Sequence, residues 1–294
     1  GLNEIGEKNI LVVDNLSNAQ KHLNLNRLSF TDYIDKDDFV LNIGKFTNIS
    51  TIFHQGACSS TTEQDGKYMM SNNYEFSKIL LNNCLKHKID FLYASSAAVY
   101  GNGGNGFTEE SKAEYPMNVY GFSKLAFDNY VRRVLPKAEI QILGLRYFNV
   151  YGPQENHKGR MASVAFHLFN QLHDSGKMRL FEGSEEFRRD FIHVEDTVKI
   201  NLHFYKTKSS GIYNAGTGKS RSFMDIARSM KDIHGNGKIE YIPFPKDLSG
   251  KYQKFTEASL DNLRQVGYSG DFLSLEEGLK KYFDQLSSSK GFYL

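Results

Sequence analysis

Five short apolar runs alternate with longer amphipathic stretches along this chain, and this alternation constrains the fold more than any other feature. The apolar runs are 10–13, 51–54, 89–95, 140–147 and 211–214. The stretches with helical spacing are 69–86, 119–135, 161–174, 194–206, 223–234 and 273–286, with Asp196 and Ser222 as candidate caps. Buried strands that alternate with helices predict an α/β fold, with a doubly wound parallel sheet and helices on both faces.

The pattern loosens after about residue 148. Loops are predicted at 152–159 and 181–189, and a proline-containing segment follows at 242–250. At 294 residues the chain has the size at which a single core stops growing. We therefore expect a nucleotide-binding domain of 1–148 plus about 190–220, and a smaller, discontinuous substrate-binding lobe of about 149–189 plus 221–294.

Charge and cysteine content narrow the class of partner. The 36 Lys and Arg residues balance 34 Asp and Glu residues and form no basic block, so nucleic acid is not a predicted partner. The two cysteines, Cys58 and Cys84, show no paired spacing for a metal and indicate free thiols in a reducing compartment. No apolar run reaches membrane-spanning length. We expect a cytoplasmic protein without a metal or a membrane contact.

The start of the chain departs from the order of a dinucleotide-binding fold. Such a fold opens with a strand, a glycine-rich turn and a helix, and only then has a second strand that ends in an acidic residue, as run 10–13 does at Asp14. We expect the first strand and its glycines to lie upstream of Gly1. A sheet without that interior strand would have two open edges, and a chain complete as given is expected neither to fold well nor to turn over.

A literal G-x-G-x-x-G occurs elsewhere, at Gly101, Gly103 and Gly106. It follows a tyrosine rather than a strand end, and it continues into 107–110 instead of into a helix. This context favours a flexible loop over a phosphate site.

Tyr120 and Lys124 have the spacing that places two side chains on one face of a helix. An ammonium group beside a phenol favours the phenolate, which lets tyrosine accept a proton near neutral pH. The spacing alone is weak evidence, but Ser96 ends a predicted strand at the carboxyl edge of the sheet, where open α/β folds bind ligands. The stretch 146–153 follows the next strand at the same edge. Ser96, Tyr120 and Lys124 are therefore predicted to form one site.

Ser96, Tyr120, Lys124 and the stretch 146–153 resemble the extended short-chain dehydrogenase/reductases that act on nucleotide sugars. The stretches 54–62, 65–70, 157–159, 161–168 and 180–184 narrow the resemblance to the ADP-glyceromanno-heptose 6-epimerase family, over essentially the whole chain. The resemblance implies a Rossmann-type fold, an ADP-heptose substrate and NADP as cofactor, with NAD as the alternative. It also implies a homo-oligomer, commonly a pentamer, and a part in making the heptose of the lipopolysaccharide inner core.

The implied reaction is chemically reasonable, because C6 of the heptose has no adjacent carbonyl and its hydrogen cannot leave as a proton. The carbon must first be oxidised to a 6-keto intermediate, which turns and is reduced on its other face. Two orientations require two acid/base groups, which by family correspondence are Tyr120 and Lys158. Ser96 would orient the oxygen, and Lys124 would lower the pKa of Tyr120 and hold the nicotinamide ribose.

The resemblance also implies binding residues. The cofactor residues are Asp14, Asn15, Lys21, Lys36, Gln55, Gly56, Ala57, Cys58, Ser59, Asn72, Lys124, Val150 and Lys158. The substrate residues are Asn149, Arg160, His167, Phe181, Glu182, Gly183, Ser184, Arg189 and Tyr252. Lys21 is a suitable partner for a 2′-phosphate, which favours NADP, and Arg189 is the expected diphosphate clamp. Arg160 stands where the family has a serine.

The sequence also bears on three other functions. A 4,6-dehydratase needs an Asp-Glu pair after the strand serine, and Ala97 and Ala98 stand there instead, which excludes dehydration. A 4-epimerase of hexose nucleotides shares Ser96, Tyr120 and Lys124 but does not need Lys158 as a second base. A non-catalytic nucleotide-sugar binding module remains the alternative from another class of protein, and cofactor content distinguishes it.

Overall fold

The computed structural model describes residues 1–244 and 253–293. Its strands are β1 (Leu11–Asp14), β2 (Asp32–Asp35), β3 (Thr51–His54), β4 (Asp90–Ser96), β5 (Ile142–Tyr147), β6 (Asn149–Tyr151), β7 (Lys177–Phe181), β8 (Arg188–His193), β9 (Gly211–Ala215), β10 (Ser220–Ser222) and β11 (Lys238–Ile242). Its helices are α1 (Lys36–Leu41), α2 (Gly66–Met69), α3 (Phe76–His87), α4 (Val119–Val134), α5 (Val164–Ser175), α6 (Val194–Thr207), α7 (Phe223–His234), α8 (Asp261–Gln265) and α9 (Leu275–Ser289). A π-helical segment, Met70–Glu75, joins α2 to α3.

The central sheet has the strand order β3-β4-β5-β9, and all its pairs are parallel. Successive residues of β4 point to opposite faces. Phe91 packs with helices α3 and α4 in one buried cluster, whereas Leu92 packs with α6 in another. Because both faces are covered, β4 and β5 are almost entirely buried, as the long apolar runs predict. The predicted Rossmann-type α/β fold is confirmed.

β1 and β2 form a separate two-stranded parallel sheet. In the part of the chain that the structure describes, β1 pairs only with β2 and β3 pairs only with β4, so each leaves one edge unpaired. This agrees with the predicted pair of open edges. Leu11 and Val13 of β1 nevertheless pack into the same cluster as Phe91, so the two sheets share one core.

The second half of the chain contains two further small sheets, β10-β8-β6 and β11-β7. They surround a cluster built by α5, α7 and α9. β2, β6, β7, β8, β10 and β11 were not predicted as strands. The predicted loop 181–189 is shorter than expected, because β7 ends at Phe181 and β8 begins at Arg188. The proposed domain boundaries stay a prediction.

Capping side chains determine the residues at which several helices begin. Ser222 caps α7 as predicted and forms a capping box with Asp225. The prediction that Asp196 caps α6 is wrong, because the cap is His193, whose side chain accepts from Glu195 N–H. Asp196 lies buried in the first turn, where it accepts from Leu273 N–H at 2.8 Å. The helix predicted at 161–174 begins at Val164, because Ser163 caps it.

Gly101, Gly103 and Gly106 lie in a turn that leads to a short 3₁₀ segment, so the predicted loop is confirmed. At Gly101 the φ angle is +59° and a Cβ would lie 1.9 Å from the Tyr115 carbonyl oxygen. These glycines serve a tight turn and a close approach of backbone. In residues 1–244 and 253–293, none of the helices has the length and apolar character that spanning a bilayer requires.

A fully buried ion network lies behind the carboxyl end of β5. Arg146 donates through Nε to Asp128 at 2.9 Å and through Nη2 to Glu114 at 2.5 Å. Tyr93 and Ser95 also donate to Asp128, at 2.9 and 3.0 Å. The Arg146 and Asp128 side chains are completely excluded from solvent, so each depends on the other for compensation of its charge.

Replacing Asp128 by Asn is therefore expected to destabilise the fold by about 3 kcal/mol, because it leaves the Arg146 charge only partly compensated in a dry site. Urea unfolding followed by circular dichroism measures this loss. Asp284→Asn is the matched control, because its ion pair with Lys280 is more than half exposed and is expected to contribute less than about 1 kcal/mol. Equal losses for the two variants would contradict the prediction.

Candidate active site

The carboxyl ends of β3, β4 and β5 meet at one edge of the central sheet. The register pairs Ser96 with Tyr147, so β4 and β5 end together, and it pairs His54 with Tyr93, so β3 ends earlier and the segment after it runs on beside β4. The segment 55–59 leaves β3, and Ser96 ends β4. This edge is where parallel α/β sheets bind ligands.

Ser96 and Tyr120 are brought together by a close approach of α4 to the turn after β4. Ser96 Oγ accepts from Ala98 N–H at 3.1 Å, which caps the 3₁₀ turn Ala97–Tyr100. At Gly121 a Cβ would lie 2.6 Å from the Ala98 carbonyl oxygen, so any side chain there would push the helix away. Glycine at 121 therefore allows the first turn of α4, which carries Tyr120, to lie close to the end of β4.

Lys124 follows one turn later on the same face of α4. Its side chain is only 6% exposed, and its Nζ donates to the Ala94 carbonyl at 2.8 Å. Burial lowers the pKa of Lys124 to about 8, although the Asp128 carboxylate acts in the opposite direction. Ser96 at the end of β4 and the pair Tyr120 and Lys124 on α4 thus lie together, as the sequence predicts.

Burial raises the pKa of Tyr120, and the hydrogen bond with Ser96 opposes this rise. We expected Lys124 to lower the pKa of Tyr120, but in this structure the raising effect of burial dominates and the Lys124 ammonium donates to the Ala94 carbonyl. His54, which ends β3, hydrogen-bonds Ser77 at 2.8 Å, and burial lowers its pKa to about 3. His54 is therefore neutral at physiological pH and adds no positive charge beside Lys124.

A cavity of about 310 Å³ opens beside Tyr120. Tyr120 and Lys158 both line it, and so do Asn149, Val150 and Ser59. The sequence predicts all five as site residues. Two groups able to exchange protons thus border one space large enough for part of a sugar.

Lys158 lies in a short 3₁₀ segment, Asn156–Met161, within the predicted loop 152–159, and this segment is held on several sides. Asn24 Nδ2 contacts His157 Nδ1 at 3.1 Å, and Asn18 Nδ2 donates to the His157 carbonyl at 3.1 Å. Glu155, a buried carboxylate that the sequence analysis missed, accepts from Ser163 N and Ser163 Oγ at 2.6 Å each. These contacts tie the loop both to the segment after β1 and to the cap of α5.

The predicted cofactor residues of β1 and β2 lie together. Lys21 Nζ donates to Asp14 Oδ1 at 2.9 Å and to Asn15 Oδ1 at 3.1 Å. Asp14 is in register with Asp35, so Lys36 begins α1 at the neighbouring strand end, where it pairs with Asp37. The ammonium of Lys21 and the polar groups around it match the chemistry of an adenosine ribose and its phosphate.

The segment 55–59 is held at both ends. Tyr147 OH donates to Gln55 Oε1 at 2.9 Å, and Asn73 Oδ1 accepts from Cys58 N–H at 2.8 Å. Gly56 and Ala57 between these points are exposed, and Asn72 lies next to Asn73 on the π-helical segment. Asn73 is a second residue that the sequence analysis missed; its burial is visible only in the folded chain.

These donor sets fit a dinucleotide. Exposed backbone at Gly56 and Ala57 allows a cofactor to approach closely, while Lys21 supplies positive charge beside the end of β1 and Lys124 beside the end of β4. The residues that would hold the adenosine ribose are Asp14, Asn15 and Lys21, and Lys124 would hold the nicotinamide ribose.

The predicted substrate residues are less closely grouped. Asn149 lines the cavity, whereas Arg160, His167, the turn 181–184 and Arg189 do not. Arg189 is buried over the ring of Phe223, which does line it. Ser184 is buried at the Gly183 turn, and Arg160 reaches Thr62 at 3.5 Å. Tyr252 lies outside the described residues.

A doubly wound parallel sheet with serine, tyrosine and lysine at its carboxyl edge defines an enzyme of the short-chain dehydrogenase/reductase class. Residues 2–216 match the model of the NAD dependent epimerase/dehydratase family, and the chain belongs to that family. The cofactor of this family is a nicotinamide dinucleotide.

Known relatives match this chain over nearly its full length. The chain is 56% identical to the ADP-L-glycero-D-manno-heptose-6-epimerase of Brachyspira hyodysenteriae, an alignment that covers 100% of this chain and 95% of that protein. The crystal structure of the Helicobacter pylori enzyme of the same name is 29% identical with a TM-score of 0.76, covering 96% of this chain and 97% of that chain. UDP-glucose 4-epimerase of Thermotoga maritima, solved with UDP-glucose, is 25% identical with a TM-score of 0.82, covering 98% and 94%.

Proposed function

We propose that this protein converts ADP-D-glycero-β-D-manno-heptose to ADP-L-glycero-β-D-manno-heptose by epimerisation at C6, which makes it an isomerase. The observation that carries the proposal is that Tyr120 and Lys158 line one cavity in a chain 56% identical to a 6-epimerase. A second acid/base group opposite the tyrosine is what inversion at an oxidised carbon requires.

The residues have separate roles in this reaction. Tyr120 takes the hydroxyl proton of one epimer and returns a proton to the ketone oxygen; Lys158 does the same for the other epimer. Ser96 orients the oxygen toward Tyr120, and the buried Lys124, which donates to the Ala94 carbonyl, would hold the nicotinamide ribose. Asp14, Asn15, Lys21 and Lys124 would hold a nicotinamide cofactor, which would supply the hydride transfer to and from C6.

The test of the proposal supplies two substrates, ADP-D-glycero-β-D-manno-heptose and UDP-glucose, in D₂O, and follows the products by proton NMR. We expect inversion at C6 of the heptose without deuterium at C6, because the hydride never exchanges with solvent. UDP-galactose as the main product would favour the 4-epimerase, and deuterium at C6 would refute the oxidative route. Conversion of neither substrate, together with no bound cofactor, would favour the binding module.

We further propose NADP as the cofactor, because the Lys21 ammonium lies on Asp14 and would face a 2′-phosphate. Lys21→Ala is expected to raise the Kd for NADP about tenfold or more and to change the Kd for NAD by less than about threefold, because only NADP carries the phosphate. Isothermal titration of both nucleotides measures this. Lys88→Ala, which removes an equally charged but exposed side chain, should change neither value. Equal losses for NAD and NADP would contradict the role of Lys21.

Family resemblance also supports a homopentamer in the cytoplasm and a place in the synthesis of lipopolysaccharide heptose. Sedimentation velocity on the purified chain tests the assembly.

A further inference from the structure

One buried amide joins the predicted cofactor loop to the helix of the predicted catalytic tyrosine. Asn73 is 2% exposed and lies in the π-helical segment between α2 and α3. Single-turn π-helical segments often occur at functional sites, because they redirect side chains that a regular helix would place elsewhere. The Asn73 side chain here points away from solvent and into the space between the two elements.

On the side of the loop, the Asn73 side chain forms hydrogen bonds with both the N–H and the carbonyl of Cys58. Its Oδ1 accepts from Cys58 N–H at 2.8 Å, and its Nδ2 donates to the Cys58 carbonyl at 2.9 Å. This paired contact replaces the backbone pairing that an irregular segment lacks. It fixes the position of the segment 55–59 near its C-terminal end.

On the helix side, Asn73 Nδ2 donates to Ser123 Oγ at 3.1 Å, and Ser123 Oγ donates to the Tyr120 carbonyl at 2.7 Å. Ser123 is completely buried. The loop and the first turn of α4 are thus joined by an unbroken chain of hydrogen bonds from Cys58 to Tyr120.

We propose that Asn73 is a positioning residue of the reaction, which fixes the cofactor loop 55–59 relative to Tyr120 through Cys58 on one side and Ser123 on the other. The inference rests on the proposed function only for the role of Tyr120. Asn73 touches neither of the reacting groups and acts through the two elements that it joins.

Asn73→Asp tests this with the least change of shape. The carboxylate still accepts from Cys58 N–H, but it cannot donate to the Cys58 carbonyl or to Ser123, and it repels the carbonyl. Hydrogen exchange of the purified chain, with and without NADP, is measured by mass spectrometry. Exchange in 55–59 and in the first turn of α4 is expected to rise about tenfold in the variant. The control is Asn82→Asp on the exposed face of α3, which keeps the acceptor that Tyr130 uses.

Kinetics separate positioning from a general loss of stability. At saturating NADP, Asn73→Asp is expected to lower kcat about tenfold with the substrate KM within about twofold, and to lose more kcat as the pH rises and the carboxyl group ionises. Ser123→Ala cuts only the link to Tyr120, so it is expected to lower kcat at least about threefold while the exchange in 55–59 stays as in the wild type.

Three results would overturn the inference. The first is hydrogen exchange in Asn73→Asp that stays within about twofold of wild type both in 55–59 and in the first turn of α4. The second is an unchanged kcat in folded Asn73→Asp, and the third is an unchanged kcat in Ser123→Ala. If Asn73→Asp does not fold, Ser123→Ala decides. If the wild-type chain fails to epimerise ADP-heptose, the proposed function fails, and the exchange and NADP-binding data still decide the role of Asn73.

Discussion

Tyr120→Phe is expected to lower kcat for C6 epimerisation about 10³-fold while the fold and the affinity for NADP are kept. Only a hydroxyl group is removed, and that hydroxyl borders the cavity and is hydrogen-bonded to Ser96. Burial raises the pKa of Tyr120, so the free chain holds the phenol protonated at neutral pH. That form can donate to the ketone oxygen in the reduction step, whereas Tyr120 must ionise before it takes the hydroxyl proton of the alcohol. Phenylalanine can neither donate nor accept that proton.

The measurement is steady-state turnover of ADP-heptose, accompanied by a thermal melt and by the amount of NADP released on denaturation. Tyr115→Phe is the matched control, because that tyrosine is 79% exposed and the same atom is removed. Turnover within about threefold of wild type in folded Tyr120→Phe would remove Tyr120 from the mechanism.

The central sheet was predictable because its strands are apolar on both faces. The run 51–54 coincides with β3, and the helix predicted at 223–234 coincides with α7, whose cap and apolar spacing agree. Such segments are specified locally, since burial and capping favour the same element. Ser96, Tyr120 and Lys124 were placed together for the same reason, because their strand and helix are unambiguous.

The short strands of the second half were missed because pairing, not composition, makes them strands. β7 alternates exposed and buried residues, β11 has only exposed and half-buried ones, and both contain charges, so they become a sheet only through their register with each other. Lys158 illustrates the same limit at the site. Its segment has no regular pattern, and contacts of the neighbouring His157 with Asn18 and Asn24, which are far away in sequence, hold it at the cavity.

The contacts of Asn73 could not be predicted from the sequence for a further reason. A regular helix over 69–86 would distribute its side chains by a period of 3.6, whereas the π-helical segment shifts them. Two adjacent asparagines, Asn72 and Asn73, then differ in burial, and only the folded chain shows which of them reaches Cys58.

Lys158→Met is expected to lower kcat at least about 10²-fold, because the unbranched side chain keeps the volume of the lysine stem but loses the only proton-exchanging group that we assign to the second epimer. The expected loss distinguishes C6 inversion from hexose 4-epimerisation, which has no need of a base at this position. Lys137→Met, on an exposed site outside the cavity, is the control.

Single turnovers from each side of the equilibrium give the sharper form of this test. If each base serves one epimer, Tyr120→Phe should still oxidise one of the two ADP-heptoses and Lys158→Met the other, as read from the absorbance of reduced nicotinamide. This complementary pattern requires two independent bases that border one cavity, which is the arrangement of Tyr120 and Lys158. Loss of oxidation from both epimers in Tyr120→Phe, with both retained in Lys158→Met, would mean that Tyr120 alone exchanges protons with the substrate and that Lys158 serves the site only through its charge.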